Sequence, residues 1–75
     1  MTTESVVNLS KVRTLAASGE AKAIRLKNRI SLSEIAAACE VDQSTVWQWE
    51  NGGRKPRGEA ALRYAELLRE LAEVT

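Results

Sequence analysis

Apolar residues recur along this chain at three- and four-residue spacings, and runs of the alternating strand type are scarce, so the fold class is all-α, a small helical bundle. Leu9, Val12, Leu15 and Ala16 stand at i, i+3, i+6 and i+7, the stripe of a first helix that Asn8 is placed to cap and Ser18-Gly19 to end. Residues 1–7 carry no pattern and are expected to be a flexible tail, which leaves 8–75 as a single domain. A second helix is expected over roughly Glu20 to Asn28, with Ala23, Ile24 and the stem of Lys27 turned inward; one longer helix bent at Gly19 is the alternative.

Ser31 and Glu34 have the spacing of a capping box, hydroxyl to one backbone N–H and carboxylate back to the other, and this opens a third helix over about 32–39. Leu32, Ile35, Ala36 and Cys39 are its inner stripe, and Glu40-Val41 makes the turn that follows. Asp42 is placed to cap a fourth helix over about 43–51, which Asn51-Gly52-Gly53 stops. Arg54-Lys55-Pro56-Arg57 is a basic loop that Pro56 stiffens. The last helix, over about 59–73, aligns Ala61, Tyr64, Ala65, Leu68 and Ala72, and Leu67 and Leu71 widen that stripe. Either this helix is deeply buried or part of it meets a second subunit, for which Tyr64, Leu67 and Leu71 are the candidate contacts.

The fourth helix has two unlike sides. Each helical residue advances about 100°, so with Gln43 at zero the side chains of Trp47, Asn51, Ser44 and Gln48 share an arc of roughly 140°. Thr45, Val46 and Trp49 fall opposite. A helix that packs through Val46 and Trp49 therefore holds out a block of amides, a hydroxyl and an indole without a charge. Such a block suits base edges in a major groove, where an amide pairs bidentately with adenine and an apolar surface meets the thymine methyl.

Composition narrows the choices. Seventy-five residues make one domain near the lower limit for a self-standing core. Cys39 is the one cysteine and His is absent, so no disulfide can form within the chain, no His- or Cys-based metal site is expected, and the usual nucleophile–base pairs of an enzyme are missing. No cofactor is expected either. Cys39 reads as a small buried hydrophobe, at helical spacing from Leu32, Ile35 and Ala36. The absence of a signal peptide, of an apolar run long enough to span a bilayer and of paired cysteines fits a cytoplasmic protein with no membrane partner. The formal net charge is only +1, but it is unevenly spread. Lys22, Arg25, Lys27 and Arg29 crowd one segment and Arg54, Lys55 and Arg57 another, flanking the central helix pair where phosphate contacts would be wanted; an ordinary solvated surface is the other reading of the same charges.

From Ala23 to Leu68 the order of features resembles the Cro/repressor, or XRE-type, helix-turn-helix domain. The resemblance rests on Ile30-Ser31-Leu32-Ser33-Glu34-Ile35-Ala36, Val41, Gln43-Ser44-Thr45-Val46-Trp47-Gln48-Trp49-Glu50-Asn51-Gly52 and Arg54-Lys55-Pro56. The extension Arg57-Gly58-Glu59-Ala60-Ala61-Leu62-Arg63-Tyr64 resembles versions from phages and actinobacteria. The resemblance implies a lambda-repressor-like bundle of five core helices, with Leu9–Ser18 as an extra helix ahead of it, merged with the next one or separate. It implies double-stranded DNA as partner, with Gln43, Ser44 and Gln48 facing bases, and Asn51, Arg54, Lys55 and Arg57 near phosphates. It also implies a structural Glu50 paired with Arg25 or Arg29.

Two positions depart from the family pattern. Leu32 stands where a phosphate-holding Gln is frequent, leaving the backbone N–H groups at Ser31 and Leu32 for that phosphate. Glu40 stands where the turn usually has Gly, at a cost of about 1 kcal/mol if the left-handed geometry is kept. Trp47 lies in the middle of the outward face, either against a thymine methyl, a sugar edge or the DNA backbone, or folded back over the loop at Arg54 or the second helix. Trp49 is expected in the core. The reading that follows is a Cro-like, sequence-specific transcriptional regulator in a bacterial cell or phage-infected host. It would bind a palindromic operator as a homodimer and, having no effector domain, be governed by its own concentration and by competition for operators. A protein–protein module, antitoxin or anti-repressor, docking through Leu67 and Leu71 is the alternative, and the basic framing argues against it. An excisionase-like architectural protein ranks third because no wing hairpin is evident.

Overall fold

The computed structural model describes residues 1–74, and among these it contains five helices and no strand. They are α1 (Thr3–Ser18), α2 (Glu20–Lys27), α3 (Leu32–Cys39), α4 (Gln43–Asn51) and α5 (Gly58–Val74). The all-helical bundle is as expected, and the N-terminal helix is one of five in all rather than a sixth. It is also distinct from α2: Gly19 adopts φ 88°, a left-handed conformation that ends α1 and starts α2 in a new direction.

Helix α1 begins six residues earlier than its apolar stripe, at Thr3 rather than Leu9. The hydroxyl of Thr2 accepts the N–H of Ser5 at 3.0 Å and Glu4 sits in the first turn, so the expected tail is helical and Thr2, not Asn8, is the cap. Val6 and Val7 on this added turn remain exposed, so no apolar period marks it in the sequence.

The phase of α2 also differs from expectation. Ala21 and Arg25 are its buried residues, Ile24 is half-buried, and Ala23 and Lys27 face outward. The following turn closes with Ile30 N–H on Arg25 C=O (3.1 Å) and Arg29 N–H on Leu26 C=O (3.1 Å), which places Arg29 at φ 58°. Helix α3 ends the same way, with Val41 N–H on Ala36 C=O (3.0 Å), Glu40 N–H on Ala37 C=O (3.2 Å) and Glu40 at φ 60°. Both are Schellman closures without the usual glycine, each strained by about 1 kcal/mol, and each turns an apolar residue, Ile30 or Val41, back against the core.

Helix α1 lies chiefly against α5, while α3 and α4 form the helix pair set on top of it. Val12, Ala21, Ile35, Cys39, Val46, Ala61, Tyr64 and Leu68 are almost fully enclosed. Cys39 is there as the small hydrophobe expected, and burial pushes its thiol up to about 11.

Candidate nucleic-acid interface

Three anchors fix α4. Val46 is fully buried, and Trp49 lies over Tyr64 with ring centroids 4.7 Å apart. The third is an ion pair: Arg25 donates to both carboxylate oxygens of Glu50, Nε at 2.6 Å and Nη2 at 3.0 Å, and its Nη1 reaches the Ile30 carbonyl at 3.0 Å. The hydrogen bonds that the guanidinium donates to Glu50 hold it above its ordinary pKa. The pair implied by the resemblance is thus made with Arg25 rather than Arg29. It removes Arg25 from the first basic cluster, whose exposed members are Lys22, Lys27 and Arg29. Asp42 occupies the cap position at the other end of α4, but its side chain makes no capping hydrogen bond.

With α4 fixed inward, its other side is presented outward. Gln43, Ser44 and Trp47 are exposed and Gln48 is half-buried. Trp47 keeps 54% of its surface exposed, so the indole is not folded back onto the protein. Asn51 is exposed at the helix end, where its amide donates to the Trp47 carbonyl at 2.9 Å. Gly52 takes φ 80° and lets the chain leave the helix, with Gly53 N–H closing on the Gln48 carbonyl at 2.9 Å. The basic loop comes next: Pro56 is buried, while Arg54, Lys55 and Arg57 are exposed and line one open pocket.

The start of α3 is less open than expected. Its capping box is complete, with Glu34 N–H donating to the Ser31 hydroxyl (3.1 Å) and Ser31 N–H to the Glu34 carboxylate (2.9 Å). The Ser31 amide is therefore occupied, which leaves the backbone N–H of Leu32 as the expected donor of that end. The bond from Ser31 holds the Glu34 carboxyl below its usual pKa, so a negative charge stands where an anion was expected.

On α5, Tyr64 is 1% exposed beneath Trp49, which removes it from any surface contact with a second copy. Its hydroxyl is buried with no hydrogen-bond partner among the described residues. Leu67 and Leu71 are half-buried, and Leu67 lines a shallow groove with Ala38 and Leu62. One side chain had no signal in the sequence: Arg13 on α1 donates through Nε to the carbonyl of Pro56 at 2.8 Å. No helix is long and apolar enough to cross a membrane, and no group of three or more His, Cys, Asp or Glu among the described residues could hold a metal ion.

A family model described as helix-turn-helix matches residues 22–74. No curated protein and no solved structure matches the chain.

Proposed function

The chain belongs to the Cro/XRE-type helix-turn-helix family, a DNA-binding family, and on that premise we propose that it is a sequence-specific transcriptional regulator that reads an operator with α4 in the major groove. The observation that carries this reading is the exposed, uncharged face of α4 set directly before a basic loop. Gln43 and Gln48 offer bidentate amides to adenine, Ser44 offers a hydroxyl, and the exposed edge of Trp47 meets a thymine methyl or a sugar. Asn51, Arg54, Lys55 and Arg57 take phosphates beside that groove.

Two copies bind a two-fold operator with half-sites about one helical turn apart, meeting through Leu67 and Leu71 on α5. The test is selection of genomic DNA fragments by the pure protein at moderate salt with excess competitor DNA. Fragments sharing a short inverted repeat are expected. Single unpaired half-sites would remove the dimer from this reading, and recovery of nothing above background would transfer it to a module that binds another protein.

A further inference from the structure

Helix α1 precedes the residues matched by the family model, yet it reaches the basic loop. Arg13 is half-buried, and its bond to the Pro56 carbonyl spans 43 positions of the chain at 2.8 Å. The cleft beneath the loop is walled by Arg13, Ala16 and Ala17 from α1 and by Trp49, Gly52 and Pro56 opposite. Within the loop, Arg54 N–H reaches the Gln48 carbonyl only at 3.4 Å, and Pro56 has no N–H to give. Among the described residues, Arg13 supplies the hydrogen bond that ties residues 54–56 to a distant part of the fold.

We propose that Arg13 is a positioning residue for the basic loop: by holding the Pro56 carbonyl it fixes Arg54, Lys55 and Arg57 beside the outward face of α4. A charged donor on a carbonyl in a part-buried setting makes one of the stronger single hydrogen bonds a protein offers. Its consequence is kinetic and energetic at once, since a loop ordered during folding does not have to be ordered again when phosphate arrives. An element outside the helix-turn-helix match thereby sets how firmly the domain grips DNA. This rests on the DNA-binding reading above.

The experiment is a double-mutant cycle on the selected duplex, with Arg13→Met, Lys55→Ala and both together over a salt series, alongside ¹⁵N relaxation of the DNA-free proteins. Met keeps an unbranched stem in the cleft and removes the donor. Arg13→Met is expected to weaken binding by about tenfold, the cost of ordering the backbone of about one more residue when phosphate arrives. In that background Lys55→Ala should cost less than it does in the parent chain, because a displaced Lys55 has little left to lose. Order parameters at Arg54 and Lys55 should fall, and Arg13→Lys should restore them in part.

Additive losses with unchanged order parameters would overturn the proposal and make Arg13 a phosphate contact in its own right. Unchanged affinity would overturn it as well. If Arg13→Met does not fold, Arg13→Lys, which keeps the charge on a different donor geometry, is read by the same relaxation measurement. A parent chain that binds no duplex would defeat the DNA-binding reading, and relaxation would still decide whether Arg13 holds the loop.

Discussion

The two sides of α4 are nine residues of one helix put to opposite uses. On the inner side the anchoring groups are committed: Val46 and Trp49 are buried, and Glu50 has both oxygens on Arg25. On the outer side Gln43, Ser44 and Trp47 stand in solvent, with an indole left more than half exposed although burying it would be favourable. The contrast teaches that the outer side is held out by the rigidity of the inner one. A helix anchored only by apolar contacts could rotate to bury Trp47, and a bidentate ion pair resists that rotation because it has one geometry.

The contrast predicts where damage goes. Glu50→Ala leaves the Arg25 guanidinium enclosed with no carboxylate, and a loss of about 3–5 kcal/mol is expected in urea denaturation. A loss below about 1 kcal/mol would mean that the ion pair does not anchor the helix. Gln43→Ala should do the reverse: stability within about 0.5 kcal/mol of the parent, and operator binding weaker by about 1–3 kcal/mol with non-specific binding spared. Equal losses on both kinds of DNA would remove Gln43 from base reading.

The buried side should also respond to alkali. Cys39 titrates near 9.0 when unfolded and near 11 when buried, so between those values the unfolded chain has lost a proton that the folded chain keeps. Stability then falls as pH rises, by up to about 1.4 kcal/mol per pH unit, and burial of Tyr64 acts in the same direction higher up. Denaturation midpoints from pH 8 to 11, with Cys39→Ala as the less steep control, measure it. The smallest effect is expected from Tyr64→Phe, which removes a buried hydroxyl with no partner among the described residues: a change between zero and a gain of about 1 kcal/mol by thermal melting. A clear loss would reveal a partner for that hydroxyl.

What the sequence made legible follows the strength of each physical signal. The bounds of α3 and α4, the capping box and the core placement of Trp49 all rest on side chains with one dominant preference, and all are found; the left-handed Glu40 follows from the family pattern, against the preference of its own side chain. The start of α1 was hidden because its first turns bury nothing before Leu9; only the short Thr2–Ser5 cap marks them. In α2 the difference between Ala21 and Ala23 is one methyl group against another, too small to set the phase. The decisive residue there is Arg25, whose charge argued for the outside. Tyr64 stands in the sequence both as a member of the α5 stripe and as a candidate contact for a second subunit, because a stripe wider than a small core needs does not say which of its members is innermost. Arg13 was illegible for a different reason: nothing local links an arginine to a carbonyl 43 positions away.

Helix α1 contributes Leu9 and Val12 to the same core that Val46 and Trp49 enter, although it lies wholly ahead of residue 22. The recognisable module and the cooperative unit are therefore not the same length. Slow amide exchange should reach its highest protection in α1 and α4 together, both opening only when the whole chain unfolds. Gly19 is a joint in the backbone, and the thermodynamics run straight through it.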